Sequence, residues 1–451
     1  MNKIFSAPPT VQLEITDVCN ERCRHCYNFW RKENSRQTLL TKDKFDRLVD
    51  MFVEAGVFHV ILTGGEPFTH FELLKYGFKK LLDNNISISC NANLTLSTQD
   101  QLHQLRDIGL DHILTSLNSF DPATNDYIVN YKGAFDKIVR GIQMAVADGI
   151  RISANMIVSQ ANKDHVYQTG LLAHELGCQR IFGTRLVPTV YERNPNESEF
   201  HITRDDALST LDQLLRANQE TGISIGTLVS YPLCLLRDLD KYRDFVGRGC
   251  PGQSGQLMSI NANGDTHACV HQEQGYGNVF DIGIRAAYQN MLDWHNGSYY
   301  FEGCEGCDYI SICQSGCRMS ALGYFGAMNE RDNLMTKKND FIKPFKITRD
   351  ESIYALIDNG FNFTVPKSLR FRKEAGFYLV NIRWANTITC KNDVAELLIT
   401  HQKSGAPFDL NEFGVENRNM LADLYFKDAL ECEAVTATRE KSLLGLSANI
   451  E

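Results

Sequence analysis

Between residue 11 and about residue 220, short apolar runs alternate with longer stretches whose apolar positions recur every three or four residues. The short runs fall at residues 11–18, 59–63, 86–90, 112–116, 151–158 and 180–186, and their Val, Ile and Leu content reads as strands. The longer stretches, at 42–55, 71–84, 99–108, 133–148 and 164–176, each carry one apolar stripe and read as amphipathic helices. Strands alternating with helices predict repeated βαβ units around a parallel sheet. Such units fit either a partial barrel or an open doubly wound sheet, and the pattern alone leaves both open.

After one more helical stretch, at 204–222, the periodicity is lost. Residues 250–331 are rich in Cys, Gly and Tyr and broken by turns. A small region of this kind builds little core, so metal clusters would supply its cross-links. A third region begins near residue 341. There residues 368–372 and 377–383 alternate like paired strands, with Glu374-Ala375-Gly376 as the turn, and helical segments follow around 393–402 and 417–430. The expected division is therefore 1–225, 226–340 and 341–451, without internal repeats or low-complexity tracts.

Composition narrows the class. The 451 residues are 43% hydrophobic and 22% charged, an ordinary globular balance. A net charge of −9 argues against a general nucleic-acid binder. No apolar run approaches the roughly 18 residues of a membrane span, and residues 1–10 lack the apolar core of a secretory signal. A cytoplasmic location with no membrane partner is the expectation. Thiols stay reduced there, so clustered cysteines are more often ligands or catalysts than disulfides. The fourteen cysteines cluster as Cys19, Cys23 and Cys26, and again as Cys304, Cys307, Cys313 and Cys317, with Cys250 and Cys269 shortly before. Cys90, Cys178, Cys234, Cys390 and Cys432 are scattered and read mostly as small buried hydrophobes.

Cys19-x-x-x-Cys23-x-x-Cys26 offers three thiolates within eight residues. Three ligands on a four-iron cluster leave one iron without a protein ligand, an open position for substrate or cofactor. A zinc knob is the alternative. Against it, no fourth Cys or His stands at ligand spacing apart from His25 inside the loop, and Tyr27, Phe29 and Trp30 add an aromatic shield suited to an oxygen-sensitive cluster. Gly64-Gly65-Glu66-Pro67 follows the second strand directly. Its glycines allow close backbone approach, and Glu66 could accept hydrogen bonds from an ammonium group. Alone it is a plain turn. Taken with the cysteine triplet, which follows the first strand, it places two motifs on the rim where barrels carry their chemistry.

This pair of motifs, with Tyr27 next to the last cysteine, resembles the radical S-adenosylmethionine (SAM) superfamily over residues 11 to about 220. The resemblance implies an α/β fold with a partial (β/α)6 TIM-type barrel. It implies a [4Fe-4S] cluster on Cys19, Cys23 and Cys26 whose open iron chelates the amino and carboxylate groups of SAM. The turn Gly64, Gly65, Glu66 and Pro67 would hold the amino group. One electron then splits SAM into methionine and a 5′-deoxyadenosyl radical that abstracts hydrogen from substrate. Weaker family-like positions for cofactor contact are Asn91, Ser116, Asn118 and Asn155, with Asn162 nearby; many relatives have Asp in the place of Asn118.

The second cysteine set, with Gly264 five residues before Cys269 and with Gly277-Asn278-Val279, is similar to the SPASM extension, which carries auxiliary iron–sulfur clusters. By that likeness Cys250, Cys269 and Cys317 hold one cluster and Cys304, Cys307 and Cys313 the other; a zinc ribbon is the alternative. The family's seventh cysteine is missing after Asp332. Either Asp332 substitutes or the second cluster is open or incomplete, and the first lacks a fourth thiol unless Cys234 folds back. The third region resembles the winged-helix-like PqqD element, which binds a leader peptide along a sheet edge. Its Lys367, Arg370, Arg372, Lys373 and Arg383 would favour an acidic leader.

Together these readings predict a maturase of ribosomally made peptides that forms a C–C or thioether cross-link. It would be supplied with electrons by a flavodoxin or ferredoxin. Rivals are a peptide epimerase, a small-molecule dehydrogenase, a sulfatase-type formylglycine maturase and a non-enzymatic metal scaffold. Val270 counts against the formylglycine reading, since those relatives carry Asp after the cysteine matching Cys269.

Overall fold

The computed structural model describes residues 4–28, 38–188, 200–247, 249–337, 343–344, 361–409 and 413–432. Phe29 and Trp30 lie outside them. The chain divides into two compact units, Met1–Phe345 and Lys346–Glu451.

The first unit is built on a nine-stranded sheet. Its strands are β1 (Thr10–Glu14), β2 (His59–Thr63), β3 (Ser87–Asn91), β4 (His112–Ser116), β5 (Arg151–Val158), β6 (Arg180–Arg185), β7 (Ser224–Gly226), β8 (Leu257–Ile260) and β9 (Thr266–His267). Helices α1 (Lys42–Ala55), α2 (Phe71–Asp83), α3 (Gln99–Ile108), α4 (Pro122–Val129), α5 (Ala134–Ala147), α6 (Val166–Glu175) and α7 (Arg204–Thr221) connect the first seven strands. Local chemistry sets their ends. Thr41 caps α1 by accepting the Lys44 amide, Gly56 ends it in a left-handed conformation, and Thr98 and Thr203 open α3 and α7 with capping boxes.

The sheet order is β7-β6-β5-β4-β3-β2-β1-β8-β9, with β1 to β7 parallel throughout. From β1 to β7 each connection steps to the adjacent strand in the same direction. Right-handed crossovers taken always in one direction place every helix on one face, whereas a doubly wound sheet reverses direction. The arrangement is a barrel wall, and among the described residues no pairing joins β7 to β9 to close it. The cysteine-rich segment extends this wall, because β8 lies parallel beside β1 and β9 returns antiparallel to β8. The pattern there, broken by turns every few residues, implies short elements without fixing their type.

The first strand ends at Glu14, not at Val18. Ile15 still donates its amide to the Thr63 carbonyl at 2.9 Å, but Asp17 turns to Thr38, donating its amide to the Thr38 carbonyl at 3.1 Å and accepting the Thr38 amide on its carboxylate at 2.7 Å. The apolar run 11–18 therefore continues past the point where the chain leaves the sheet, and Cys19 lies five residues beyond the strand end.

The second unit contains β10 (Asn362–Thr364), β11 (Arg370–Glu374), β12 (Phe377–Arg383), β13 (Asn386–Cys390), β14 (Phe408–Asp409) and β15 (Glu431–Cys432), with helices at Asn392–Ser404 and Gly414–Phe426. Strands β11, β12 and β13 form an antiparallel meander, and β14-β10-β15 a second small sheet. Phe363, Val380, Leu398, Phe408, Leu421 and Tyr425 share its buried core. Glu374 pairs with Phe377 inside the hairpin, so the turn is Ala375-Gly376 alone, with Gly376 at φ 88°.

Candidate active site

The cysteine loop starts where β1 ends, and the backbone of the Gly64–Glu66 turn locks onto its first residues. The Gly65 amide donates to the Thr16 carbonyl at 2.7 Å and the Glu66 amide to the Val18 carbonyl at 2.8 Å. A Cβ on Gly65 would lie 1.8 Å from the Val18 oxygen, and one on Gly64 would lie 2.4 Å from the Thr16 oxygen. Both glycines are therefore demanded by main chain against main chain, before any ligand is considered.

Glu66 is buried, and its carboxylate ties loops together. One oxygen accepts the Phe68 amide at 3.1 Å and the other the Asn93 amide at 2.6 Å. The carboxylate thereby joins the β2 and β3 loops. Asn93 continues the bracing, donating to Asn20 at 3.0 Å, while Asn20 donates to the Thr95 hydroxyl at 2.7 Å. On its other flank the cysteine loop is held by α4. Arg24 donates its amide to the Ile128 carbonyl and its Nε to the Tyr127 carbonyl, both at 2.9 Å, with its guanidinium 4.4 Å from the Tyr127 ring centre.

Within the loop the Cys26 amide donates to the Cys23 carbonyl at 3.1 Å, and the Cys23 thiol donates to Glu21 at 3.3 Å. Burial, then Glu21, then Cys26 and Cys19 push the Cys23 thiol well above its usual range. Burial also raises the Glu21 carboxyl to about 7. The Cys23 thiol and the Glu21 carboxyl therefore favour their neutral forms unless a cationic centre balances them. A metal cluster is such a centre, and the loop's chemistry fits one. Among the described residues no three Cys, His, Asp or Glu side chains converge as a single ion would require.

The remaining cofactor candidates lie on the same rim. Asn91 and Ser116 are the last residues of β3 and β4, and Asn155 on β5 is the register partner of Ser116. Asn155 accepts the Thr184 hydroxyl at 2.7 Å. Asn118 is fully buried; its Oδ1 accepts the Ile157 amide at 3.1 Å, and its Nδ2 has no partner. Asn162 is a loop staple, donating to the carbonyls of Asn118 and Ile157. Tyr27 rests against His271, ring centres 5.1 Å apart, and the His271 Nδ1 lies 3.7 Å from the Cys269 sulfur. The N-terminal loop therefore reaches the cysteine-rich segment.

In that segment burial raises the Cys269 thiol well above its usual range, with the nearby Cys250 and Cys317 adding to the shift. Their frame is an ion pair between Arg185, at the end of β6, and Asp332; the two side chains are 1% and 0% exposed. Asp332 also accepts the Cys317 amide at 2.7 Å and the Leu334 amide at 2.9 Å. Both of its oxygens are thus engaged, and Asp332 brackets the Cys317 loop. Arg318, also buried, donates to the carbonyls of Tyr299, Met328, Glu330 and Ser315. Cys234 lines one cavity with Cys304, Cys307 and Cys313. Arg185 and Asp332 lie 147 residues apart, and the one available signal for Arg185 was its place on the strand-end rim.

Comparison with known proteins agrees with this geometry. The family described as the Radical SAM superfamily matches residues 13–170. An AdoMet-dependent heme synthase of Methanosarcina barkeri is 25% identical over 350 residues, covering 74% of this chain and 97% of that protein. A PqqA peptide cyclase of Xanthomonas oryzae pv. oryzae is 27% identical over 340 residues, covering 71% and 86%. Among solved structures, native anSMEcpe with bound AdoMet superposes with a TM-score of 0.58 at 16% identity, covering 72% of this chain and 93% of that one. Streptococcus suis SuiB bound to S-adenosylmethionine gives 0.58 at 15% identity, covering 73% and 78%. Residues 13–170 are thus a radical SAM domain, and the protein is an enzyme that uses an iron–sulfur cluster and SAM.

Proposed function

We propose that this enzyme matures a ribosomally made peptide by closing a C–C or thioether cross-link. The observation that carries the reading is the similarity to PqqA peptide cyclases over most of their length, in a chain with a second unit of mixed strands and helices.

In this reading Cys19, Cys23 and Cys26 hold the [4Fe-4S] cluster and leave one iron for the amino and carboxylate groups of SAM. Gly64, Gly65 and Pro67 line that position with main chain, Glu66 fixes the turn, and Tyr27, Asn91, Ser116, Asn118 and Asn155 flank the nucleoside. Cys250, Cys269 and Cys317, and separately Cys304, Cys307 and Cys313, serve auxiliary clusters in a domain spanning 226–340. When bound, these groups supply a hydrogen-abstracting radical and an acceptor for the surplus electron. The chain's own residues position the peptide and exclude water and oxygen. A flavodoxin or ferredoxin supplies the reducing electron.

The second unit takes the role of a PqqD-like module, in which the leader adds as a strand beside β11 or β13, the outer strands of the meander. Charge contributes less than the sequence implies. Arg372 pairs with Glu374 at 2.8 Å and Lys373 with Glu396 at 3.6 Å, so two of the five cations already face acids.

The test is anaerobic incubation of the holoenzyme with SAM, a reductant and the short peptide encoded beside its gene, read by mass spectrometry. A loss of two hydrogens supports cross-linking. Solvent-deuterium uptake at unchanged hydrogen count indicates epimerisation instead. The heme synthase relative, matched over nearly its whole length, favours a second reading in which a tetrapyrrole is oxidised. Deoxyadenosine formation that answers to a porphyrin and ignores the peptide would select it.

A further inference from the structure

We infer that Cys234 is the fourth thiolate of the metal site formed by Cys304, Cys307 and Cys313, taking the place of the cysteine missing after Asp332. The inference rests on the reading that this segment carries an auxiliary iron–sulfur cluster, and it assigns a ligand that the cysteine spacing does not.

Four sulfurs line one cavity. Cys304, Cys307 and Cys313 come from a short stretch, while Cys234 arrives on the helix Leu233–Leu236, seventy residues earlier in the chain. The other walls include Phe301, Ile310 and Met335, apolar side chains that would keep water from a cluster. Each of three sulfurs already has one hydrogen-bond donor. The Leu233 amide donates to Cys313 at 3.4 Å, the Ser315 hydroxyl to Cys304 at 3.3 Å and the Thr336 amide to Cys234 at 3.4 Å. Donors aimed at sulfur stabilise thiolates and are the means by which proteins tune such clusters.

Placement of Cys234 is deliberate. The Thr336 hydroxyl donates to the Cys234 carbonyl at 2.5 Å, so the strand of chain following Asp332 clamps this residue through both main chain and sulfur. That chain is where the sequence leads one to look for the last cysteine, and it supplies Met335 and Thr336 instead. Asp332 cannot fill the vacancy, because Arg185 and two backbone amides occupy its oxygens. Four cysteines complete a cluster's protein ligation, so this site would have no open iron. Cys250, Cys269 and Cys317, by contrast, keep only three thiols.

The experiment compares the anaerobically reconstituted full chain with Cys234→Ala, Cys234→Ser and Cys304→Ala, measuring iron and sulfide per chain and the electron paramagnetic resonance spectrum. The inference predicts that Cys234→Ala and Cys304→Ala lose equal iron, about one cluster each. Cys234→Ser should retain or partly retain that iron with an altered signal. A measurement on the wild type guards against misfolded variants: Cys234 should resist alkylation in the holoprotein and react after iron is chelated. Wild-type iron and spectrum in Cys234→Ala, alongside a loss in Cys304→Ala, overturns the inference alone. If Cys304→Ala also leaves iron unchanged, the auxiliary-cluster reading itself falls.

Discussion

The loop bearing Cys19, Cys23 and Cys26 and the segment bearing Cys250 to Cys317 both gather thiols, but different parts of the chain hold them. In the first, main chain meets main chain: Gly65 and Glu66 donate to Thr16 and Val18, and neither glycine has room for a Cβ. In the second, buried charge does the holding, with Arg185 against Asp332 and Arg318 on four carbonyls. A backbone lock depends on shape and tolerates changes in nearby side chains. A charge lock depends on every partner being present, since an orphaned buried ion is costly.

The largest expected effect follows from that asymmetry. Arg185→Met strands the Asp332 carboxylate in the interior and should cost about 3–5 kcal/mol of unfolding free energy by denaturant titration. Adding Asp332→Leu should restore part of it. A single-variant cost below about 1 kcal/mol would break the comparison. Next comes Gly65→Ala, whose Cβ would collide with the Val18 carbonyl. Displacing the loop by about an ångström should slow deoxyadenosine release roughly 100-fold, measured by chromatography.

A smaller effect concerns pH. His295 is buried against Tyr288, ring centres 4.6 Å apart, with Nε2 lacking a partner, and burial lowers its pKa from 6.5 to about 4. The folded state thus binds the proton less tightly than the unfolded state. The resulting stability is complete above pH 6.5 and is lost as pH falls toward 4. The wild type should lose roughly 2 kcal/mol more than His295→Phe over that window, seen as a steeper fall of Tm. The smallest effect tests the backbone lock. Asn20→Ala removes two side-chain hydrogen bonds, yet should cost about 1 kcal/mol and change deoxyadenosine release only a few-fold.

Legibility in the sequence followed the same divide. The strands His59–Thr63, His112–Ser116 and Arg151–Val158 and the helices Lys42–Ala55 and Gln99–Ile108 match their apolar patterns end to end, because burial on a regular period leaves a regular trace. The pattern missed α4, whose eight residues show no clear apolar stripe, and β13, whose run Asn386-Thr387-Ile388-Thr389-Cys390 is mostly polar. It misplaced the end of β1, since apolar Val18 lies past the sheet. Motif spacing identified the cysteine loop and the glycine turn, but not that the two lock together. Contacts such as Arg185 with Asp332 or Cys234 with Cys313 join residues far apart in sequence, and no local period records them.

The radical SAM assignment of the N-terminal site is tested most directly by deoxyadenosine release from anaerobically reconstituted protein supplied with SAM and a reductant. The wild type should release deoxyadenosine and methionine, and replacing Cys19, Cys23 and Cys26 together with Ala should abolish release while the fold, by circular dichroism, persists. Equal release from the triple variant would contradict the account.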